Sequence, residues 1–260
     1  MPDTPFAALH RRPGRPLLLA NAWDHGSAAL LAAEGFEAIG TTSLGVAAAA
    51  GLPDGASATR QETVRLARRL GRSGWLVSVD VEGGFSEEPA EVAALAVELA
   101  AAGVAGINLE DGRADGTLAP AELHAAKIAA VKAAAPELFV NARTDTWWAG
   151  RPDPLPEAED RLKQYQEAGA DGVFTPGLTD PALIAGLLGE LTVPLNLLWS
   201  PAGPSYRELA ALGVGRVSLG SLLYRTALAA ALDTARAVRD GGEVRPVLGY
   251  AQAQELHGQG

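Results

Sequence analysis

The sequence predicts an α/β protein, a (β/α)8 TIM barrel, on three observations. One helix-to-strand junction recurs along the chain, eight short apolar runs alternate with helical stretches, and polar residues gather at the C-terminal ends of those runs. The junction reads Ala33-Glu34-Gly35-Phe36-Glu37-Ala38-Ile39. It returns as Ala102-Gly103-Val104-Ala105-Gly106-Ile107, Ala168-Gly169-Ala170-Asp171-Gly172-Val173 and Leu212-Gly213-Val214-Gly215-Arg216-Val217. Glycine is favoured just past a helix end because it takes the left-handed conformation without a Cβ clash, and the apolar run that follows suits a buried parallel strand.

Strands are expected at Leu17–Asn21, Ala38–Thr42, Leu76–Asp80, Gly106–Glu110, Leu138–Ala142, Gly172–Thr175, Leu195–Leu198 and Arg216–Leu219. Capping-box patterns at Thr59 with Glu62 and at Ser205 with Glu208 mark two helix starts, where side chains satisfy the first free amides. Eight alternations favour a closed barrel over an open doubly wound sheet. No break in composition divides the chain. Residues 1–260 therefore read as a single barrel domain with a C-terminal helical tail, and Pro152-Asp153-Pro154-Leu155-Pro156 as a stiff loop after strand five.

The chain has 260 residues, 48% of them hydrophobic, enough to bury a full core. Its formal net charge of −10, with no run of Lys and Arg, excludes a nucleic-acid partner. Zero cysteines exclude disulfides, thiolate metal sites and a cysteine nucleophile. The first residues lack an apolar signal segment, and Glu91 and Glu98 interrupt the Ala-rich stretch Ala90–Ala102 at helical spacing, so the expectation is a soluble, cytoplasmic protein with no membrane partner.

In barrels of this type, chemistry sits on the loops that follow the strands. Asp80 with Glu82, and Glu110 with Asp111, place carboxylates after strands three and four. With no Cys and no nearby His, they make a hard-oxygen site suited to Mg2+ or Mn2+. The alternative is that Asp80 and Glu82 cap the next helix while Glu110 and Asp111 face water. Arg143, after strand five, reads either as a bidentate clamp on a substrate carboxylate or as a structural ion pair for Glu110. Thr41-Thr42-Ser43-Leu44-Gly45 can offer a hydroxyl and successive backbone amides to an anion. The histidines His10, His25, His124 and His257 show no metal-ligand spacing and read as surface or local hydrogen-bonding groups. Trp147 and Trp148 could wall a pocket or pack against neighbours.

Read together, Asn21-Ala22-Trp23-Asp24, Thr42-Ser43-Leu44-Gly45, Asp80-Val81-Glu82-Gly83-Gly84-Phe85, Asn108-Leu109-Glu110-Asp111 and Asn141-Ala142-Arg143-Thr144-Asp145 are a more specific pattern than any one of them. The pattern resembles the isocitrate lyase and phosphoenolpyruvate mutase superfamily, in the same order, from about Pro16 to Arg239. The resemblance implies a Mg2+ (or Mn2+) ion, a small 2-oxo acid substrate and a homo-oligomer. The oligomer is a tetramer or dimer, with the last barrel helix exchanged between subunits.

By the same resemblance, Asp80 is the direct metal ligand, with Glu82 and Glu110 as the other carboxylates that hold the ion. Ser43, with the amides of Leu44 and Gly45, grips the substrate carboxylate. Asp80 and Arg143 also contact substrate, Asn196 touches its distal end, and the catalytic pair is Asp54 and Arg143. Glu82 departs from the Asp common in relatives. The stretch Gly112 to Pro120 lacks the cysteine of the lyases and the Lys and Asn of the mutase gating loop. The expectation that remains is a Mg2+-dependent carbon–carbon lyase, acting by C–C cleavage or decarboxylation on a 2-oxo dicarboxylate-like substrate through an enolate. The alternatives are a 2-oxo acid sensor or scavenger with little turnover, and phosphonopyruvate hydrolase or phosphoenolpyruvate mutase-like activity.

Overall fold

The computed structural model describes residues 3–258 and places eight parallel strands in a closed barrel. They are β1 (Leu17–Ala22), β2 (Ile39–Thr41), β3 (Val77–Asp80), β4 (Gly106–Glu110), β5 (Phe139–Arg143), β6 (Gly172–Thr175), β7 (Leu195–Leu198) and β8 (Arg216–Ser218). Each strand pairs with its sequence neighbour, and β8 closes on β1 through Leu17 opposite Arg216. Every expected strand is present, with ends displaced by one residue at most. The helices are α1 (Pro5–Ala8), α2 (His25–Ala33), α3 (Ser43–Ala50), α4 (Arg60–Gly71), α5 (Pro89–Ala101), α6 (Ala121–Ala134), α7 (Pro154–Glu167), α8 (Pro181–Glu190), α9 (Tyr206–Leu212), α10 (Leu222–Asp240) and α11 (Tyr250–Glu255).

The recurring junction works as its composition requires: Gly35, Gly103, Gly169 and Gly213 adopt φ of 84°, 90°, 101° and 94°. Apolar residues alternate along the strands and point toward the helices. Ile39, Val77, Val79, Ile107, Val140, Val173, Leu195, Leu197 and Val217 are buried in the layer between barrel and helices. Burying each such side chain contributes about 2 kcal/mol. The alternate positions face the barrel interior and are unusually polar, with Asn21, Ser78, Asp80, Asn108, Asn141, Asn196, Arg216 and Ser218 all buried.

One end of the barrel is plugged by α1. Phe6 packs edge-on against Phe139 with centroids 5.4 Å apart, and His10 stacks on the same ring at 4.2 Å while its Nδ1 lies 2.9 Å from the Phe6 carbonyl. His10 and His124 are therefore buried and not surface groups, and His10 makes the local hydrogen bond that was the other reading. Burial drives both pKa values down to about 3, with cationic Arg216 and Lys127 respectively adding to the effect.

Two local expectations are corrected. The Ser205/Glu208 capping box forms, but Thr59 makes no side-chain cap and Glu62 pairs with Arg65 instead. Residues Pro154 to Pro156 open α7 rather than extend the loop, since proline is tolerated in a first helical turn where no intrahelical acceptor is needed.

After β8, α10 turns Tyr224 inward against Trp23, with centroids 5.3 Å apart, and leaves Leu228, Leu232 and Val238 exposed at 53%, 51% and 66%. The tail returns so that residues 256–258 contact α2. The last two residues of the expected helical tail lie outside the described residues. Among the described residues no helix is long and apolar enough to cross a membrane.

Candidate active site

A cavity of about 310 Å³ opens at the C-terminal ends of the strands. Ser43, Leu44, Asp54, Asp80, Glu110 and Arg143 all contribute to its wall.

Asp80 ends β3. Its backbone N–H donates to Thr41 Oγ1 at 2.9 Å, which fixes the strand end, and its Oδ2 accepts from the Ser43 amide at 3.4 Å. Its Oδ1 is buried without a hydrogen-bond partner among the described residues. Burial raises its pKa, against the pull of Arg143 and with the charge of Asp54 adding to the rise. Glu110, at the end of β4, is pushed further above the ordinary carboxylate range by burial, with Arg143 opposing and Asp80 assisting. Two buried carboxylates whose charges oppose each other form a site that gains by taking up a cation.

Arg143 sits opposite Glu110 in the β4–β5 register. Its Nη1 meets Glu110 Oε2 at 2.7 Å, while Nε and Nη2 reach the two oxygens of Asp145 at 2.5 and 3.0 Å. Burial disfavours its charge, but Glu110 and Asp145 more than offset that, so its pKa lies above the ordinary arginine value. Asp145 is fixed in turn: its backbone N–H donates to Asp111 Oδ1 at 2.9 Å, and Asp111 Oδ2 accepts from Tyr165 at 2.7 Å and Arg161 at 3.1 Å. A Cβ on Gly112 would overlap Asp145 Oδ2, so glycine is required there. Of the two readings of Arg143, the ion pair with Glu110 forms, and the residue also stands at the cavity wall.

Glu82 is placed differently from the expectation. It does not line the cavity. Its Oε2 accepts from the Ser57 amide at 2.9 Å and its Oε1 from the Thr59 hydroxyl at 2.5 Å. The residue reaches them from a left-handed backbone, φ 50°, beside Gly83 and Gly84. Burial raises its pKa while those two donors lower it. Glu82 thus fastens the segment that carries Asp54 over the cavity. Among the described residues no three acidic or histidine side chains are grouped to hold an ion. Mg2+ retains several waters and is commonly held by one or two carboxylates, so Asp80, with its unpartnered oxygen, and Glu110 beside it suit the ion.

Thr42 caps α3 and accepts the Gly45 amide at 3.5 Å. That amide is therefore turned toward its own helix cap, which leaves Ser43 and Leu44 at the cavity wall. Gly45 instead packs closely on Trp23 and Thr42. Asn196 is 1% exposed, deep in β7 opposite Arg216, with both amide atoms unpartnered among the described residues. It is not among the residues that form the cavity wall, to which the same strand contributes Leu198.

The wall also includes Asn108 and Arg113, to which the sequence reading gave no role, and Trp148, for which a pocket wall was one of two readings. Asn108 follows from counting back two positions from Glu110 along the same strand face. Arg113, whose Nη2 bonds Glu87 at 2.7 Å, comes from the shortened 112–118 hairpin. Trp148 stands at the rim, 63% exposed, whereas Trp147 packs into the core.

The family profile described as phosphoenolpyruvate phosphomutase matches residues 6–239. An uncharacterized protein of Mycobacterium tuberculosis (strain ATCC 25618 / H37Rv) is 45% identical over 96% of this chain and 94% of its own length. Oxaloacetate decarboxylase of Pseudomonas fluorescens (strain SBW25) is 34% identical over 92% of this chain and 88% of its own. The crystal structure of a phosphonopyruvate hydrolase complex with oxalate and Mg++ superposes with a TM-score of 0.84 at 26% identity, covering 97% of this chain and 94% of that one. The chain belongs to the phosphoenolpyruvate phosphomutase family, an enzyme family of the isocitrate lyase and phosphoenolpyruvate mutase superfamily.

Proposed function

We propose that this chain is a divalent-cation-dependent carbon–carbon lyase that decarboxylates a small 2-oxo dicarboxylate. The observation that carries the reading is the buried, unpartnered Asp80 Oδ1 in a cavity whose wall also holds the Glu110–Arg143 ion pair. The likeness to oxaloacetate decarboxylase supports the choice of reaction.

Asp80 would hold Mg2+ or Mn2+ through Oδ1, with Glu110 as the neighbouring carboxylate; when bound, the ion polarises the 2-oxo group of the substrate. The Ser43 hydroxyl and the Leu44 amide, both at the cavity wall, would orient the adjacent carboxylate. Arg143 adds a fixed positive charge that never titrates in the working range. As the bond to the departing carboxylate breaks, carbon dioxide leaves and the electron pair moves toward the 2-oxo oxygen. A proton then adds to the carbon left behind. Asp54, at the cavity wall, would manage that proton, and the bonds of Glu82 to Ser57 and Thr59 on the same segment support this.

The test is oxaloacetate with Mg2+, followed by NMR for pyruvate. Product formation that stops on chelation and in the Asp80→Asn variant is the expected result. Saturable binding with no product would favour the sensor or scavenger reading, and no binding of oxaloacetate or oxalate would overturn the site.

We further propose that the working form is a homo-oligomer in which α10 packs on a second copy. The exposed Leu228, Leu232 and Val238 on a helix whose buried residue, Tyr224, lies near its start support this. A monomeric mass by light scattering at micromolar concentration would overturn it.

A further inference from the structure

We propose that Asn108 binds substrate, presenting its side-chain N–H to an anionic oxygen at the cavity floor, and that Arg216 and Asn141 are positioning residues that fix it in that pose. The assignment rests on the reading of the cavity as a 2-oxo acid site.

Asn108 is the register partner of Asp80 on one side and of Asn141 on the other. It contributes to the cavity wall. Its Oδ1 accepts from Asn141 Nδ2 at 2.9 Å and from Arg216 Nη2. A guanidinium has donors and no acceptor, so the amide vertex that faces Arg216 must be oxygen. The amide cannot flip, and Nδ2 is left on the cavity side with no partner among the described residues.

Arg216 reaches Asn108 from β8, across the full width of the barrel from β4. It is completely buried, and its Nε and Nη1 have no hydrogen-bond partner among the described residues. Burial pushes its pKa down to about 9, against the opposing charge of Asp80. A buried cation without a paired carboxylate is costly, and the one hydrogen bond it makes among the described residues goes to Asn108. The arrangement is poor as a stabilising device and well suited to locking one amide. The locked group is a neutral donor in the same layer as Asp80, and its bond strengthens as negative charge develops on the oxygen it touches.

The experiment measures oxalate binding by calorimetry at saturating Mg2+, with circular dichroism melts as the control for folding. Asn108→Leu removes the donor at similar size. Asn108→Asp keeps an acceptor for Arg216 and Asn141 but turns an oxygen toward the cavity, so it remains informative if the leucine variant folds poorly. Both variants are expected to lose about 10- to 100-fold in affinity, the ordinary worth of a hydrogen bond to a charged oxygen. If Arg216 acts through Asn108, the double variant Asn108→Leu/Arg216→Met loses no more affinity than Asn108→Leu alone. A folded Asn108→Asp protein that binds oxalate within about twofold of wild type overturns this assignment alone. A wild-type protein that does not bind oxalate sinks the 2-oxo acid reading, and this assignment with it.

Discussion

Glu110 and Arg143 face each other across adjacent strands, and their side chains meet at 2.7 Å between Oε2 and Nη1. The same guanidinium closes on Asp145 with its other edge, so one residue neutralises two buried carboxylates. Removing it strands both. Arg143→Gln is expected to cost roughly 3–5 kcal/mol of stability and to abolish oxalate binding. Arg143→Lys, which keeps the charge without the fork, should recover part of the stability and little of the binding. Urea melts and calorimetry separate the two effects.

Asp80 predicts the opposite trade. Its raised pKa means that the folded, metal-free protein holds this proton more tightly than the unfolded chain does. The stability it contributes is thus present below the ordinary carboxylate range and lost as pH rises through the raised value. Asp80→Asn cannot ionise, so the variant should be more stable than wild type above neutrality by on the order of 1 kcal/mol. The gap should close below about pH 4. Chemical melts without metal at several pH values test this, and Mg2+ should stabilise wild type but not the variant.

The Thr59–Glu82 bond predicts a kinetic effect. Thr59→Val should cost about 1–2 kcal/mol and free the segment around Asp54. Amide exchange across residues 51–58 should then quicken, with kcat falling more than KM rises. Thr59→Ser, which keeps the hydroxyl, should restore both. Unchanged exchange in the valine variant would show that the bond does not hold the segment.

Arg113 predicts discrimination between substrates. It lines the cavity above Arg143 while Glu87 occupies one of its nitrogens. Arg113→Gln should weaken a four-carbon dicarboxylate by about tenfold, near 1.4 kcal/mol, and leave oxalate unaffected, since oxalate is too short to reach the rim. Equal losses for both ligands would show that Arg113 acts on the cavity as a whole.

The barrel was legible because β2, β4, β6 and β8 each announce themselves twice, by the glycine that ends the preceding helix and by the apolar run that follows, and the other strands by the apolar run. Asp80, Glu110 and Arg143 were legible for a related reason: they terminate those runs. What stayed hidden depends on distant partners. Thr59 satisfies the local grammar of a capping box, yet its hydroxyl is turned to donate to a buried carboxylate from another loop and makes no bond to the helix amide. Gly45 and Asn196 sit in plausible places in the sequence, but the amide of one is taken by its own cap and the other is buried outside the cavity wall. Nothing local shows that Arg216 meets Asn108, because their contact spans the barrel and 108 positions of chain.

The reach of Glu82 sets a rule of inheritance. An aspartate there would be one methylene, roughly 1.5 Å, shorter and would leave the Thr59 hydroxyl and the Ser57 amide without their acceptor. Positions 59 and 82 should therefore change together through descent. A chimera that grafts an aspartate-bearing turn onto this barrel must import the facing loop with it, or lose the fastening that keeps Asp54 at the cavity mouth.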